Sequence, residues 1–177
     1  MLTIDPKRSL LLLIDFQTRL MAAIHEGEAA IRDAGRLVEA AKLLDVPRLF
    51  TEQNPKGLGA TVEALPVEDS RTIAKFSFDA CRADGFLDLI PVDAHVVVTG
   101  CEAHVCVLQT VLSLLAASRK TFVVRNAIGS RKLEDKEAAL RRMERHGAEI
   151  VTTEMVVFEW LQTAQHPRFR QAAALIK

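Results

Sequence analysis

Apolar runs of strand length alternate along the chain with stretches of helical period. Ser9–Asp15 (SLLLLID), Pro47–Thr51, Thr72–Phe76, His95–Thr99, Thr121–Arg125 and Glu149–Thr152 are short, and several are rich in β-branched residues, which predicts six strands. Between the first two, Ala30, Ile31, Ala34, Leu37, Val38, Ala41 and Leu44 recur every three or four residues. They form one apolar stripe on a helix that stops before Pro47. Val105–Ala117 is apolar at nearly every position, so this second helix is expected to be enclosed on most sides, by the core or by a second subunit. Leu133–His146 is heavily charged, with Leu140 and Met143 as inward anchors and Gly147 as its C-terminal cap. Strands alternating with helices predict an α/β fold: a three-layer α/β/α sandwich around a six-stranded, mostly parallel, Rossmann-like sheet.

Gln53–Asp69 holds two Pro and two Gly and has no clear period, so it reads as a long loop over the sheet edge. With no internal repeat or linker, residues 1–177 are expected to form a single domain. Lysine plus arginine and aspartate plus glutamate both number 23, leaving no net field to draw the protein to nucleic acid or to an anionic membrane. The run Leu10–Ile14 is too short to span a bilayer, and the first nine residues do not lead into a signal-type apolar stretch. Three cysteines cannot all pair internally, so free thiols and a cytoplasmic location are expected.

Ligands of open parallel sheets bind beyond the carboxyl ends of the strands, and three residues fall there. Asp15 closes the first strand, although it could equally cap the following turn. Lys75 lies in the apolar strand TIAKFSF, where an ammonium is unexpected unless paired or serving as an exposed edge charge. Cys106 follows the fourth strand in the first turn of the apolar helix, where the helix dipole can activate a thiol, though a lone cysteine there also packs well. Together they bring a base, a cation and a nucleophile, the set that covalent catalysis by a thiol requires.

LLLIDFQ, AKFSF, TGCEAHVCV and RNAIGSR together resemble the isochorismatase-like cysteine hydrolases, most closely the isochorismatase-domain-containing branch, over nearly the whole chain to Trp160. The resemblance implies the isochorismatase-like hydrolase fold, with Asp15 as general base, Cys106 as nucleophile and Lys75 as the cation holding thiolate and carboxylate together. It also implies a non-proline cis peptide between Cys101 and Glu102, with the backbone amides of Glu102 and Cys106 forming the oxyanion hole. The implied reaction is hydrolysis of a small amide or related C–N bond through a thioester on Cys106. Nicotinamidases of this superfamily carry an Asp-x-His metal motif after the second strand. Here that stretch is Thr51-Glu52-Gln53-Asn54, so a metal-independent enzyme with no cofactor is expected. His104 stands where many relatives carry Asp, and so does Asn126.

Phe16, Gln17, Phe76 and Phe78 adjoin the three residues and are candidate pocket walls; Glu52 could reach the site or anchor the loop. His104 is two residues from Cys106 and points elsewhere, which argues against a Cys/His dyad. Cys101 and Cys106 match no common zinc or redox spacing, and Cys81 is expected to pack. The expected partner is a small-molecule substrate, and the apolar helix suggests a homo-oligomer. Two rival functions remain: vinyl-ether hydrolysis with Asp15 as the acid, and a binding or scaffold module on the same fold.

Overall fold

A computed structural model describes residues 2–177. Six parallel strands, β1 (Ser9–Ile14), β2 (Arg48–Gln53), β3 (Arg71–Lys75), β4 (His95–Cys101), β5 (Lys120–Gly129) and β6 (Glu149–Val151), form one sheet in the order β3-β2-β1-β4-β5-β6. Helices α1 (Thr18–Met21), α2 (Gly27–Leu43), α3 (Pro55–Leu58), α4 (Leu108–Ala116), α5 (Leu133–Arg145), α6 (Thr153–Leu161) and α7 (Phe169–Leu175) complete the chain.

All six residues of β1 are buried, because alternate side chains feed two different cores. Leu11 and Leu13 join α2, α6 and α7 on one face, around Trp160; Leu10, Leu12 and Ile14 join α4 and α5 on the other. This is the expected three-layer α/β/α sandwich. A fully buried leucine contributes about 2 kcal/mol, so β1 is a major anchor of both layers.

The strand order reverses between β1 and β4, whose register pairs Ile14 with Gly100. There the connections that follow the two strands leave for opposite faces, the position at which ligands of such sheets bind. Gly100 has φ +140°, and a Cβ on it would lie 2.3 Å from the Ile14 carbonyl oxygen, so only glycine lets the two strands approach at this point.

Several expectations shift in detail. The loop expected from Gln53 is shorter, since Gln53 ends β2, α3 follows, and Thr61 bridges to Gln17. β5 runs on to Gly129 through a register shift opposite Val98 and Gly100. Helix α4 is enclosed chiefly by its own core, with Leu108, Thr110, Val111 and Leu114 buried, Gln109 and Ala116 exposed and Leu112 and Leu115 half-buried. α6 and α7 have no counterpart in the sequence reading. Thr152 caps α6 by accepting from the Met155 amide, a local cue that precedes an otherwise unpatterned apolar run.

Candidate active site

The strand register decides which side chains meet. Asp15 leaves β1 in a left-handed conformation, φ +54°, its amide donating to the Thr51 carbonyl and its own carbonyl accepting from the Gln17 amide. This turn aims the carboxylate inward rather than leaving it to cap a helix. Thr51 Oγ1 donates to Asp15 Oδ1 at 2.6 Å, and Lys75 Nζ donates to Asp15 Oδ2 at 2.7 Å. Both charged side chains are fully enclosed.

Lys75 is therefore no solvated edge charge. Its ammonium also donates to Gln53 Oε1 at 2.9 Å and approaches the carbonyls of Ser77 and Phe78 at 3.3 and 3.4 Å. Burying the pair is tolerable because both partners find hydrogen bonds as well as each other. Gln53 is fixed in turn, since Nε2 donates to the Phe76 carbonyl at 2.6 Å. Thr51 and Gln53 hold the ion pair, and sequence reasoning missed both. Their signal was the period of β2, which places residues 51 and 53 on one face, beside the ends of β1 and β3.

Cys106 sits in a wide turn, Ala103–Val107, that precedes α4 and follows the cis peptide between Cys101 and Glu102. The Glu102 carbonyl accepts the amides of Val105 and Val107, which closes the turn beneath the thiol. The side chain is buried, at 5% exposure, and faces both Asp15 and Lys75. Burial pushes the Cys106 thiol up to about 12; the Asp15 charge adds to this and Lys75 opposes it. The helix-dipole activation expected from sequence is thus outweighed by desolvation and a neighbouring carboxylate. Burial and the Asp15 carboxylate thus both favour the protonated form of the thiol.

The other candidates fall into different places. Phe16 turns into the core shared with α2, on the sheet face opposite Cys106. Gln17 staples the loop, its Oε1 accepting from the Gln53 amide and its Nε2 donating to the carbonyls of Gln53 and Gly59. Glu52 anchors the same loop, accepting from the Thr61 amide at 2.7 Å and its hydroxyl at 2.8 Å. Phe76 and Phe78 present their rings to solvent, at 79% and 52% exposure, while their carbonyls serve Gln53 and Lys75. The Glu102 carboxylate receives Arg131 Nε at 2.9 Å and ties the cis turn to the loop after β5.

The tempting residues resolve as well. His104 Nδ1 lies 3.0 Å from Ser130 Oγ and Nε2 3.9 Å from Asp135, away from the thiol. Asn126 joins three elements, donating to Asp33 and Thr153 and accepting the Thr153 amide. Cys101 is fully buried, and the part-buried Cys81 points to the Thr110 carbonyl at 3.8 Å. Among the described residues no group of three His, Cys, Asp or Glu is placed to hold a metal ion. None of the described helices is long and apolar enough to cross a membrane.

Comparison with known proteins supplies the lineage. The isochorismatase domain matches residues 9–155, which contain Asp15, Lys75 and Cys106. The chain belongs to the isochorismatase family. It is 35% identical to the mouse isochorismatase domain-containing protein 2A, over 97% of this chain and 84% of that one. Its fold matches the MAR1 ribonuclease structure from Caenorhabditis elegans with TM-score 0.93 and 35% identity, covering 98% of this chain and 92% of that one. It also matches an octameric hydrolase of unknown specificity from Escherichia coli, TM-score 0.89 at 23% identity, covering 99% and 88%, a likeness of fold alone. The chain thus has the α/β fold of the isochorismatase-like hydrolase family.

Proposed function

We propose that this isochorismatase-family hydrolase is a metal-independent cysteine hydrolase acting on a small amide or related C–N bond. The observation that carries the reading is the enclosed Lys75–Asp15 pair, 2.7 Å apart, against the Cys106 thiol. As the sulfur attacks the acyl carbon, Asp15 takes the thiol proton, and the carbonyl electron pair moves onto oxygen. The amides of Glu102 and Cys106 receive that oxyanion; one such donor contributes about 3 kcal/mol. Collapse breaks the C–N bond, the leaving amine carries off the proton from Asp15, and a thioester remains. Water then adds to the thioester, its proton passing to Asp15; collapse releases the acid and a thiolate, which Asp15 reprotonates. Lys75 keeps the carboxylate oriented between the two halves.

Phe76 and Phe78, exposed beside Lys75, are proposed as the wall that a substrate meets first. The half-buried Leu112 and Leu115 on α4, together with the octameric description of the Escherichia coli neighbour, support a homo-oligomer. Free thiols at all three cysteines support a cytoplasmic setting.

The test is a screen of small amides and ureides with wild type and Cys106→Ala in parallel, followed by intact-mass spectrometry. Wild type is expected to release amine and to carry an acyl mass on Cys106, and the variant to lose essentially all turnover. Retained turnover in the variant overturns the thioester and favours Asp15-driven ether hydrolysis. A single-stranded RNA belongs in the same screen, given the name of the nematode relative. Cleavage of it by both proteins alike would displace the amide reading.

A further inference from the structure

A cavity lies at the opposite end of the sheet from Cys106. Its volume is about 550 Å³, within the range of small-molecule sites, and five separate segments converge on it. They are the turn Pro6–Arg8 with the start of β1, the α2–β2 connection, the segment before β4, the end of α6, and the loop holding His166. Leu10, Leu44, Leu89 and Trp160, with three prolines, form the apolar part of a mixed wall.

Two pairs of its polar groups, Arg8 with Asp93 and Trp160 with Ser9, are committed to each other. Arg8 donates to the Asp93 carbonyl from Nη2 at 2.7 Å and from Nε at 3.0 Å, and its Nε is 3.3 Å from Asp93 Oδ2. Trp160 Nε1 donates to Ser9 Oγ at 2.9 Å. His166 Nδ1 accepts the Arg168 amide. The formal charges also cancel, because Lys7 and Arg8 stand against Asp45 and Asp93. A charged guest would leave water for a wall that offers it no surplus of opposite charge.

From this balance we propose that the cavity is a second binding site, for an uncharged, ring-sized, mostly apolar molecule with one hydroxyl or amide group. An aromatic or alicyclic ring fills the space between Leu44, Leu89 and Trp160, while its polar group reaches Gln162 or the free Nε2 of His166 at the rim. The site is separate from Cys106 and does not depend on the reaction assigned there.

Trp160 is the only tryptophan in the chain, so its indole N–H gives a single reporter resonance in nuclear magnetic resonance. Benzyl alcohol, titrated against the full chain, is expected to move that resonance saturably. Benzoate and benzylammonium, of the same shape, are expected to bind at least ~10-fold more weakly, since each brings a charge to be desolvated. Leu44→Glu and Leu89→Glu, at half-buried positions, are expected to abolish the shift while circular dichroism shows an intact melt. Should either variant melt early, Leu44→Ala serves instead and is expected to weaken binding. A shift that never saturates, a charged analogue that binds as well as the alcohol, or a shift unchanged by all these variants overturns the proposal.

Discussion

Lys75 Nζ and Asp15 Oδ2 stand 2.7 Å apart although 60 residues separate them along the chain, and neither side chain touches solvent. Each comes from the carboxyl end of a different strand, and β2 lies between those strands. Thr51 and Gln53 of that middle strand contribute the hydrogen bonds that make the buried pair tolerable.

Removing one partner of this pair leaves the other as an enclosed, uncompensated charge. Lys75→Met is therefore expected to destabilise the fold by about 3–5 kcal/mol, measured by urea unfolding. The double variant Asp15→Asn/Lys75→Met should recover a substantial part of that loss. Additive losses from the two single changes would show that the pair is not coupled.

The thiol of Cys106 titrates far above an ordinary cysteine, pushed up to about 12 by burial and then by Asp15. Its alkylation rate by iodoacetamide should climb across the alkaline range with no plateau near ~8.5, the value for a free thiol. Asp15→Asn removes a negative neighbour and leaves Lys75, so the midpoint is expected to fall. A wild-type midpoint at or below the free-thiol value would contradict this picture.

His95 is buried, its Nδ1 accepting the Asp5 amide, and burial followed by the charges of Lys120 and Arg8 lowers its pKa from 6.5. The folded state thus disfavours the protonated ring relative to the unfolded chain. Its contribution to stability is complete above 6.5 and is lost as pH falls from there toward the lowered folded value. Unfolding free energies measured along an acid series should show that slope, and His95→Gln should flatten it. An unchanged slope in the variant would assign the acid sensitivity to other groups.

Gly100 carries the close approach of β4 to β1. In Gly100→Ala the new methyl would meet the Ile14 carbonyl at 2.3 Å and force φ +140° on a residue with a Cβ. A loss of about 3 kcal/mol is expected by chemical denaturation. Because the strain falls beside Asp15 and the cis turn, accessibility of Cys106 to alkylation should change as well. A variant as stable as wild type would mean that the strands can separate there without cost.

Much of this protein could be read from its order of residues. The centres of SLLLLID and HVVVT, Leu10–Ile14 and Val96–Val98, are apolar because their strands are covered on both faces, and the stripe from Ala30 to Leu44 has the period of a helix with one covered side. Those patterns are local, so they fixed the α/β class and put Asp15, Lys75 and Cys106 at strand ends. Tertiary structure alone decided the rest. Phe16 and Cys106 lie on opposite faces of the sheet, Thr51 and Gln53 become partners of the ion pair, and Gln17 and Glu52 hold the loop. Each outcome depends on which strand is hydrogen-bonded to which, and in what register. The proton on Cys106 follows from the same cause, since desolvation and nearby charge are set by residues distant in sequence, whereas the helix start beside it was visible from the beginning.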